Sequence, residues 1–215
     1  DIDENKIKLL KKGQVPFYEP SLEDLVKRNL KEKRLSFTTN IKKTIEQNDI
    51  IFNAVSTPVD DNKNVSLKNI FEVIETISNY MNSYKVIVTK STVPVGTNEQ
   101  IKQIIAKNIK NKFSFDIVDN PEFLREGTAV NDFLYPDRII IGTENEKSAK
   151  IMEKIYKPIL KNPKILIQTD LKTSELIKYA ANAFLAMKIS FVNEFANFCS
   201  LVGANVEDLT KSIGM

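Results

Sequence analysis

Two glutamates four positions apart are the first groups in this sequence whose type and spacing could do chemistry. Glu122 and Glu126 flank Phe123 and Leu124 in the segment NPEFLREG, which must leave a buried strand. Two carboxylates near one site can have their pKa values driven apart, so that one acts as a base while the other positions water. Two solvated glutamates on a turn have the same spacing, and the spacing alone leaves both interpretations open.

A second candidate group is the pair Lys178 and Asn182, which lies in a long apolar stretch. The i, i+4 spacing points an ammonium and a carboxamide the same way from adjacent helical turns. Such a pair could hold one ligand oxygen atom between the two side chains. The alternative is a solvated polar stripe on a core helix, to which both residues would also belong.

Hydroxyl side chains follow two predicted strands, as Ser56-Thr57 and Ser91-Thr92. Hydroxyls and free backbone N–H groups at strand ends are typical of a nicotinamide or phosphate crevice, although ordinary loop capping explains them too. Asp1 is a candidate for the acid that binds ribose in dinucleotide folds, about 20 residues after a Gly-rich loop. Capping of the next helix by Asp1 and Asp3 is the alternative, and no G-x-G-x-x-G occurs among the six glycines.

These groups need a scaffold, and the hydrophobic pattern predicts a parallel, doubly wound α/β sheet, because strands alternate with helices. Predicted strands cover 34–38, 49–55, 85–90, 115–118, 138–141 and 165–168, and predicted helices cover 4–12, 21–32, 40–47, 66–81, 98–109 and 146–156. Ligands bind beyond the carboxyl ends of such strands. We therefore expect the loops that begin at Asp1, Ser56, Ser91 and Asn120 to share one site.

A single long helix over 173–202 is predicted to break this alternation. The stretch contains no Gly or Pro, Asp170 or Thr173 can cap its start, and Gly203 can end it. Its apolar residues cover so wide an arc that we expect more than one neighbour to bury it.

Composition excludes several classes of function. A net charge of +3 on 215 residues is too small to favour nucleic acid, and the absence of His rules out a Ser-His triad or a His-ligated metal site. No metal is predicted. The longest apolar run, 179–187, is too short to span a bilayer. The single cysteine, Cys199, excludes an internal disulfide, is predicted to be a buried structural thiol, and fits a cytoplasmic location.

Several longer motifs occur in a fixed order and carry a family resemblance: GQVPFYEPSLEDL, KSTVPVGT, NPEFLREGTAVNDFLYPDRIIIGT, and ELIKYAANAFLAMKISFVNE followed by GANVEDL. Together they closely resemble the UDP-glucose 6-dehydrogenase family across the whole chain. Members oxidise the C6 alcohol of UDP-glucose to UDP-glucuronate, with two hydride transfers to two NAD+ and hydrolysis of a cysteine-bound thioester.

The resemblance implies a domain plan. Residues 1–168 would form an NAD-binding, Rossmann-like domain with a mostly parallel sheet, truncated at its N-terminus so that the first strand and phosphate loop are missing. Residues 169–215 would begin a central helical domain, whose long helix contributes to the substrate side and to a homodimer.

The resemblance also implies roles for individual residues on the cofactor side. Asp1 would bind ribose, with Lys6 as the nearby basic residue. The remaining NAD-binding positions would be Val55, Ser56, Thr57, Ser91, Thr92 and Glu126.

On the catalytic side, Thr92 would help to hold the catalytic water, and Glu122 would assist thioester hydrolysis. Glu126 would bridge substrate and cofactor. Lys178 and Asn182 would steady the developing oxyanion at C6 and assist deprotonation of the alcohol, in keeping with the electrostatics of an ammonium and an amide aimed at one oxygen. The sugar nucleotide would be bound by Glu122, Phe123, Leu124, Arg125, Glu126, Lys178 and Asn182.

Two family features are not in these residues. The Gly-rich phosphate loop is expected before Asp1, and the nucleophilic cysteine, in a G-F-G-G-x-C-x-x-K-D segment, after Met215. Cys199 is not at that motif, so we predict that this 215-residue piece alone is inactive. Oxidation of GDP-mannose or a UDP-N-acetylhexosamine, or a non-catalytic nucleotide-fold scaffold serving assembly, are the alternatives.

Overall fold

A mostly parallel sheet organises the first part of the chain. The computed structural model describes residues 1–60, 64–109, 113–160 and 165–214. Within these ranges, five strands pair in the order β1-β2-β3-β4-β5, and all neighbouring strands are parallel except β3 and β4. The strands are β1 Ile50–Asn53, β2 Lys85–Thr89, β3 Phe115–Asp119, β4 Ile139–Thr143 and β5 Leu166–Thr169. The predicted α/β class is confirmed.

Helices alternate with these strands. They are α1 Glu4–Lys11, α2 Leu22–Lys31, α3 Ile41–Gln47, α4 Lys68–Tyr80, α5 Thr97–Asn108, α6 Ala129–Leu134, α7 Glu146–Tyr156, α8 Leu171–Val202 and α9 Val206–Ile213. Local caps set several starts, since the Asp3, Asn40 and Asn145 side chains accept first-turn N–H groups of α1, α3 and α7. The short helices α6 and α9 were not predicted.

The reversal between β3 and β4 follows from the connection that joins them. A parallel pair needs a crossover along the sheet face, whereas an antiparallel pair can be joined at one end. Only the six-residue α6 lies in the connection. The chain therefore turns back at the carboxyl end of β3, where Asp119 pairs with Gly142 of β4.

Each face of the sheet carries its own apolar core, because alternate side chains of a strand point to opposite faces. On β2, Ile87 belongs to the core that includes Ile74 of α4 and Ile101 of α5. Val86 and Val88 belong to the other core, which includes Met152 of α7. Helices thus pack on both faces, as the doubly wound prediction requires.

Two strand predictions need correction. Residues 34–38 form no strand within the described ranges, because apolar alternation identifies the two faces of an extended segment but supplies no hydrogen-bonding neighbour. The nearly continuous apolar run of residues 49–55 is typical of a strand buried in a parallel sheet, which predicts that β1 is buried. It is at the edge of the described sheet, and Phe52 is 41% exposed.

The long helix α8 begins at Leu171, two residues before the predicted start. Asp170 caps it by accepting the Thr173 N–H (2.9 Å) and hydroxyl (2.6 Å). Gly203, with φ of 73°, follows its end as predicted. The chain divides within this helix into two compact units, Asp1–Glu175 and Leu176–Met215.

The second unit exposes much of its apolar surface. Phe184, Leu185, Met187 and Phe191 are each at least half exposed. Within the described residues of the single chain, these side chains are left uncovered, and the predicted burial of the helix by more than one neighbour stays a prediction, because periodicity identifies apolar positions but not what covers them. None of the helices in the described ranges is both long enough and apolar enough to cross a membrane.

Gly142 lets the first turn of α8 approach β4 closely. A Cβ added at Gly142 would lie 2.4 Å from Ser174 Cβ and 2.9 Å from the Asp170 carbonyl oxygen. These distances are shorter than any ordinary contact, and the nearest atoms belong to a buried residue and to backbone. A side chain at position 142 would therefore push the start of α8 away from the sheet.

We expect Gly142→Ala to lower the free energy of unfolding by about 1–3 kcal/mol, as overpacking in a core does. Urea denaturation would measure the change. Gly214→Ala is the matched control, because φ there is −86° and the added Cβ would meet its nearest atom at 3.2 Å. Equal denaturation midpoints for the two variants would contradict the prediction.

Candidate functional site

The loops that follow β1 and β2 lie against each other at the carboxyl ends of these strands. Ser91 Oγ donates a hydrogen bond to the Val55 carbonyl (2.5 Å), and Thr57 Oγ1 donates to the Thr92 carbonyl (3.2 Å). The Ser56 carbonyl accepts from Asn69 Nδ2 of α4 (3.1 Å). The predicted meeting of these two loops is confirmed, and their binding of a cofactor stays a prediction.

Asn120 holds the start of the third loop, directly after β3. The residue is 1% exposed. Its Oδ1 accepts from Lys90 Nζ (3.2 Å) and from the Tyr156 hydroxyl (2.5 Å), while its Nδ2 donates to the Ile140 carbonyl (2.7 Å). Burial raises the pKa of Tyr156 to about 12, so its hydroxyl stays a donor. The NPEFLREG segment therefore leaves the sheet from a fixed point.

The NPEFLREG loop is held by its own Glu122 and by Asp132 of α6. Glu122 Oε2 accepts the Leu124 N–H (2.6 Å). Arg125 donates from Nε (3.0 Å) and Nη2 (2.7 Å) to the two oxygens of Asp132, which also accepts the Arg125 backbone N–H (3.0 Å). This hydrogen bonding lowers the pKa of Asp132 to about 2. A ligand that needs the N–H of Leu124 or Arg125 must displace a carboxylate.

The two glutamates of this loop differ in their surroundings. Glu122 is half-buried, whereas Glu126 is exposed. Phe123 lies under the guanidinium of Arg138, 4.1 Å from the ring centroid. The loop thus carries one half-buried and one exposed carboxylate, and the separate roles of the two glutamates stay a prediction.

Glu19 is a residue of this region that the sequence did not reveal. Its carboxylate accepts the N–H groups of Gly127 (3.0 Å) and Val130 (3.4 Å). The partners are more than 100 residues away in sequence, so no local pattern could have indicated the contact. The VPFYEP loop therefore supports the end of the NPEFLREG loop.

Asp1 and Lys6 lie together, as an acid and its nearby basic residue should. Asp1 Oδ2 is 2.9 Å from Lys6 Nζ, and Asp1 Oδ1 accepts the Asp3 N–H (3.1 Å). Asp3, not Asp1, caps α1, with bonds of 2.8 and 3.0 Å to the N–H groups of Asn5 and Lys6. Helix capping therefore accounts for Asp3, and ribose binding by Asp1 stays a prediction.

Lys178 and Asn182 belong to the second compact unit, on adjacent turns of α8. Lys178 is 7% exposed, and Asn182 is exposed. Their predicted roles at a substrate oxygen are not tested by this structure. Later members of the same polar stripe, Asn193, Asn197 and Ser200, are exposed, as expected for a solvated face. Cys199 is 3% exposed, as predicted for a buried thiol.

A buried polar network at the ends of β2 and β3 was not predicted. Asn98 Nδ2 donates to Asp119 Oδ1 (3.1 Å) and to Glu175 Oε1 (2.8 Å), and Asn98 Oδ1 accepts the Thr89 hydroxyl (2.6 Å). Ser174 Oγ donates to Asp119 Oδ2 (2.6 Å). Each of these side chains is at most 2% exposed. Two carboxylates thus share one amide beside the loops of the site.

The ends of β1 and β2 fit part of a dinucleotide. Hydroxyl groups and backbone carbonyls line this edge, and the Asp1–Lys6 pair offers a carboxylate for ribose hydroxyls. A Gly-rich phosphate loop is not among these residues. Within the described ranges, no three His, Cys, Asp or Glu side chains are grouped so that they could hold a metal ion.

Comparison with known proteins places both parts of the chain. Residues 1–160 match the NAD binding domain of the UDP-glucose/GDP-mannose dehydrogenase family, and residues 172–215 match its central domain. UDP-glucose 6-dehydrogenase TuaD of Bacillus subtilis (strain 168) is 46% identical over 215 residues, which cover 100% of this chain and 46% of that protein. UDP-glucose 6-dehydrogenase of Rhizobium meliloti (strain 1021) is 44% identical over 218 residues, which cover 100% and 50%. The chain spans about half the length of these curated relatives.

Solved structures give the same picture. A UDP-glucose dehydrogenase from the hyperthermophilic archaeon Pyrobaculum islandicum superposes with a TM-score of 0.94 at 32% identity, covering 100% of this chain and 50% of that one. A ternary complex of GDP-mannose dehydrogenase from Pseudomonas aeruginosa also gives 0.94 at 32% identity, covering 99% and 50%. The fold alone therefore does not distinguish the two substrates.

The buried carboxyl of Asp119 should make stability depend on pH. Burial, reinforced by the charge of Glu175 and opposed by the hydrogen bonds from Ser174 and Asn98, raises its pKa from 3.8 to about 7. The folded state therefore binds this proton more tightly than the unfolded state does. The free energy of unfolding should fall as pH rises from about 4 to about 7, and the loss should be complete above that window.

Asp119→Asn removes this titration and keeps polar atoms for Ser174 and Asn98. As the pH rises from 5 to 8, the wild type should lose free energy of unfolding through Asp119 and the variant should not. The variant should therefore gain on the wild type by roughly a few kcal/mol at most. Urea denaturation at both pH values would measure it, with the exposed Asp24→Asn as control. If the free energies of unfolding of the wild type and of Asp119→Asn differ by the same amount at pH 5 and at pH 8, the raised pKa of Asp119 is contradicted.

Proposed function

We propose, because this chain belongs to the UDP-glucose/GDP-mannose dehydrogenase family, that it forms part of an enzyme that oxidises UDP-glucose to UDP-glucuronate with two NAD+ and one water. The observation that carries the choice of substrate is the 46% identity to UDP-glucose 6-dehydrogenase TuaD over the whole chain. A second candidate is GDP-mannose oxidation, because GDP-mannose dehydrogenase from Pseudomonas aeruginosa gives the same TM-score, 0.94, as the UDP-glucose dehydrogenase from Pyrobaculum islandicum. Identity to the GDP-mannose dehydrogenase is lower, at 32%.

Bound NAD+ would supply the hydride acceptor for both oxidations at C6, and residues of this chain would hold it. Val55, Ser56, Thr57 and Ser91 line the edge where the cofactor lies. The hydrogen bonds between their loops, from Ser91 to Val55 and from Thr57 to Thr92, keep this edge in one conformation. Asp1, already oriented by Lys6, binds the ribose hydroxyls.

Thr92 and Glu122 serve the hydrolytic half of the reaction. Thr92 follows Ser91 in the turn after β2, so its hydroxyl can hold a water beside the strand ends. Glu122 is half-buried in the loop that follows β3. Its bond to the Leu124 N–H (2.6 Å) directs the side chain back along the loop. Glu126, exposed in the same loop, contacts both substrate and cofactor.

Lys178 and Asn182 act on the C6 oxygen of the sugar. The ammonium and the carboxamide stabilise the negative charge that develops there and so help the alcohol to lose its proton. Burial of Lys178 (7% exposed) supports this role, because a charge excluded from water acts more strongly on a nearby oxygen. The sugar nucleotide lies along Phe123, Leu124 and Arg125.

We further propose that two copies associate through α8. In the second compact unit, Phe184, Leu185, Phe191 and Phe198 are each at least half exposed. Contiguous apolar surface of this kind marks an interface. A second copy of the chain is an occupant of matching chemistry, and it would cover a self-complementary patch in a two-fold dimer. A cytoplasmic location stays a prediction from the single cysteine.

The reaction can be tested with the full-length protein. We expect two NADH per UDP-glucose, with UDP-glucuronate identified by mass spectrometry, and little turnover of GDP-mannose or UDP-N-acetylmannosamine. Turnover of GDP-mannose in preference to UDP-glucose would contradict the proposal. The 215-residue chain alone should form no NADH, because its one thiol, Cys199, is 3% exposed.

Lys178→Ala tests the proposed oxyanion contact. Removal of one such donor costs about 100- to 1000-fold in kcat, and KM for UDP-glucose should change far less. Lys172→Ala on the same helix is the control, since this ammonium is exposed and pairs with Glu99 (3.0 Å). Equal kcat for the two variants would remove Lys178 from the catalytic machinery.

The dimer can be tested by adding one charge to the apolar surface. Phe191→Asp should shift the full-length protein toward the monomer in analytical ultracentrifugation, because burying an unpaired carboxylate is costly. Ser190→Asp, at an exposed polar position one residue earlier, should leave the mass unchanged. Circular dichroism would show that both variants fold. A wild-type protein that sediments as a monomer at micromolar concentration would overturn this part of the proposal.

A further inference from the structure

Glu175 is a buried carboxylate that is bonded to the beginning of another helix. It is 2% exposed. Oε2 accepts the Gly96 N–H (2.6 Å), while Oε1 accepts both the Asn98 N–H (2.8 Å) and Asn98 Nδ2 (2.8 Å). Among the residues that the structure describes, it forms no salt bridge. Backbone and amide donors therefore satisfy both of its oxygens.

These bonds give α5 a cap that its own sequence lacks. The N-cap residue is Gly96, which has φ of 92° and no side chain that could accept a first-turn N–H. A helix N-terminus has unpaired N–H groups and a partial positive charge, and a carboxylate satisfies both. Glu175 supplies this carboxylate from 79 residues along the chain. The start of α5 and the start of α8 are thereby tied together.

The turn between β2 and α5 is consequently fixed from both sides. At its beginning, Ser91 Oγ donates to the Val55 carbonyl and the Thr92 carbonyl accepts from Thr57 Oγ1. Val93 is buried at 2% exposure. At its end, the Gly96 N–H is bonded to Glu175. Loss of the Glu175 carboxylate would remove the hydrogen bond to the Gly96 N–H at the end of the turn. The hydrogen bonds at its beginning would remain.

We infer that Glu175 is a positioning residue that sets the place of Thr92 by holding the end of the Ser91–Gly96 turn. The inference rests on the proposed function, in which Thr92 holds the water used in hydrolysis. Glu175 itself is not a catalytic residue, because all its described contacts are to Gly96 and Asn98. Its effect on the reaction passes through the turn.

Glu175→Gln in the full-length protein is the direct test. The volume is kept, but the amide NH₂ replaces one of the two accepting oxygens and faces an N–H group. We expect kcat to fall by about 10- to 100-fold, because small displacements of a reacting group have effects of this size. KM for NAD+ and for the sugar nucleotide should change less than about threefold, since Glu175 is 2% exposed and its hydrogen bonds are to Gly96 and Asn98.

Amide hydrogen exchange gives a readout that does not need activity. In the ligand-free protein, the amides of residues 91–98 should exchange about tenfold faster in Glu175→Gln, as expected for the loss of about one hydrogen bond. Glu99→Gln is the matched control. Glu99 joins the same two helices, through an exposed ion pair with Lys172 (3.0 Å), and its loss should leave both exchange and kcat unchanged.

Each outcome decides between explanations. Unchanged exchange over 91–98 in Glu175→Gln would overturn the inference, whether or not the protein is an active dehydrogenase. Faster exchange with unchanged kcat would show that the contact is structural only, and would also overturn it. Absence of dehydrogenase activity in the wild type would instead defeat the proposed function. If Glu175→Gln does not fold, Asn98→Ala removes one of the three donors and should give the same changes to a smaller extent.

Discussion

Two buried carboxylates, Asp119 and Glu175, share the amide of Asn98 where the strands β2 and β3 end. Isolated buried carboxylates are costly, and they persist in a folded protein only when donors satisfy them. Here the donors come from the Ser174 hydroxyl, the Asn98 amide and two backbone N–H groups at the start of α5. The network thus restricts how α5 and the first turn of α8 can be placed on the sheet.

Other features of the fold are consistent with that constraint. Gly142 has no side chain where Ser174 approaches β4, so the Ser174 hydroxyl can reach Asp119. Asp119 is followed directly by Asn120, which holds the start of the NPEFLREG loop. The turn that carries Thr92 ends at Gly96, which is bonded to Glu175. Two loops with proposed catalytic residues therefore begin or end at one buried polar cluster.

The features that could be predicted from the sequence are those that neighbouring residues determine. Alternating strands and helices gave the α/β class, and capping by Asp3 and Asp170 and termination by Gly203 set helix ends close to their observed positions. Predictions that depended on a second, distant segment of the chain were wrong or incomplete. Residues 34–38 alternate but have no described strand beside them, and the antiparallel direction of β4 depends on its pairing with β3 rather than on its own apolar pattern.

In the candidate site, too, local features were predicted and long-range contacts were not. Ser56, Ser91 and Asn120 were identified because they follow strands, and parallel strands bring such loops together. Individual roles for Thr92, Glu122 and Lys178 came from the family resemblance, and spacing alone left each of them with a structural alternative. The contacts of Glu175 were not predicted, because its partner Asn98 is 77 residues away and no local pattern links the two.

The central claim is that Asn98 and Glu175 stabilise the protein as a unit, and a double-mutant cycle tests it most directly. Urea denaturation of the wild type, Asn98→Ala, Glu175→Ala and the double variant would give the coupling free energy. Residues joined in one buried network should show a coupling of about 1–3 kcal/mol, with the double variant less destabilised than the sum of the single variants. Additivity within about 0.5 kcal/mol would contradict the account.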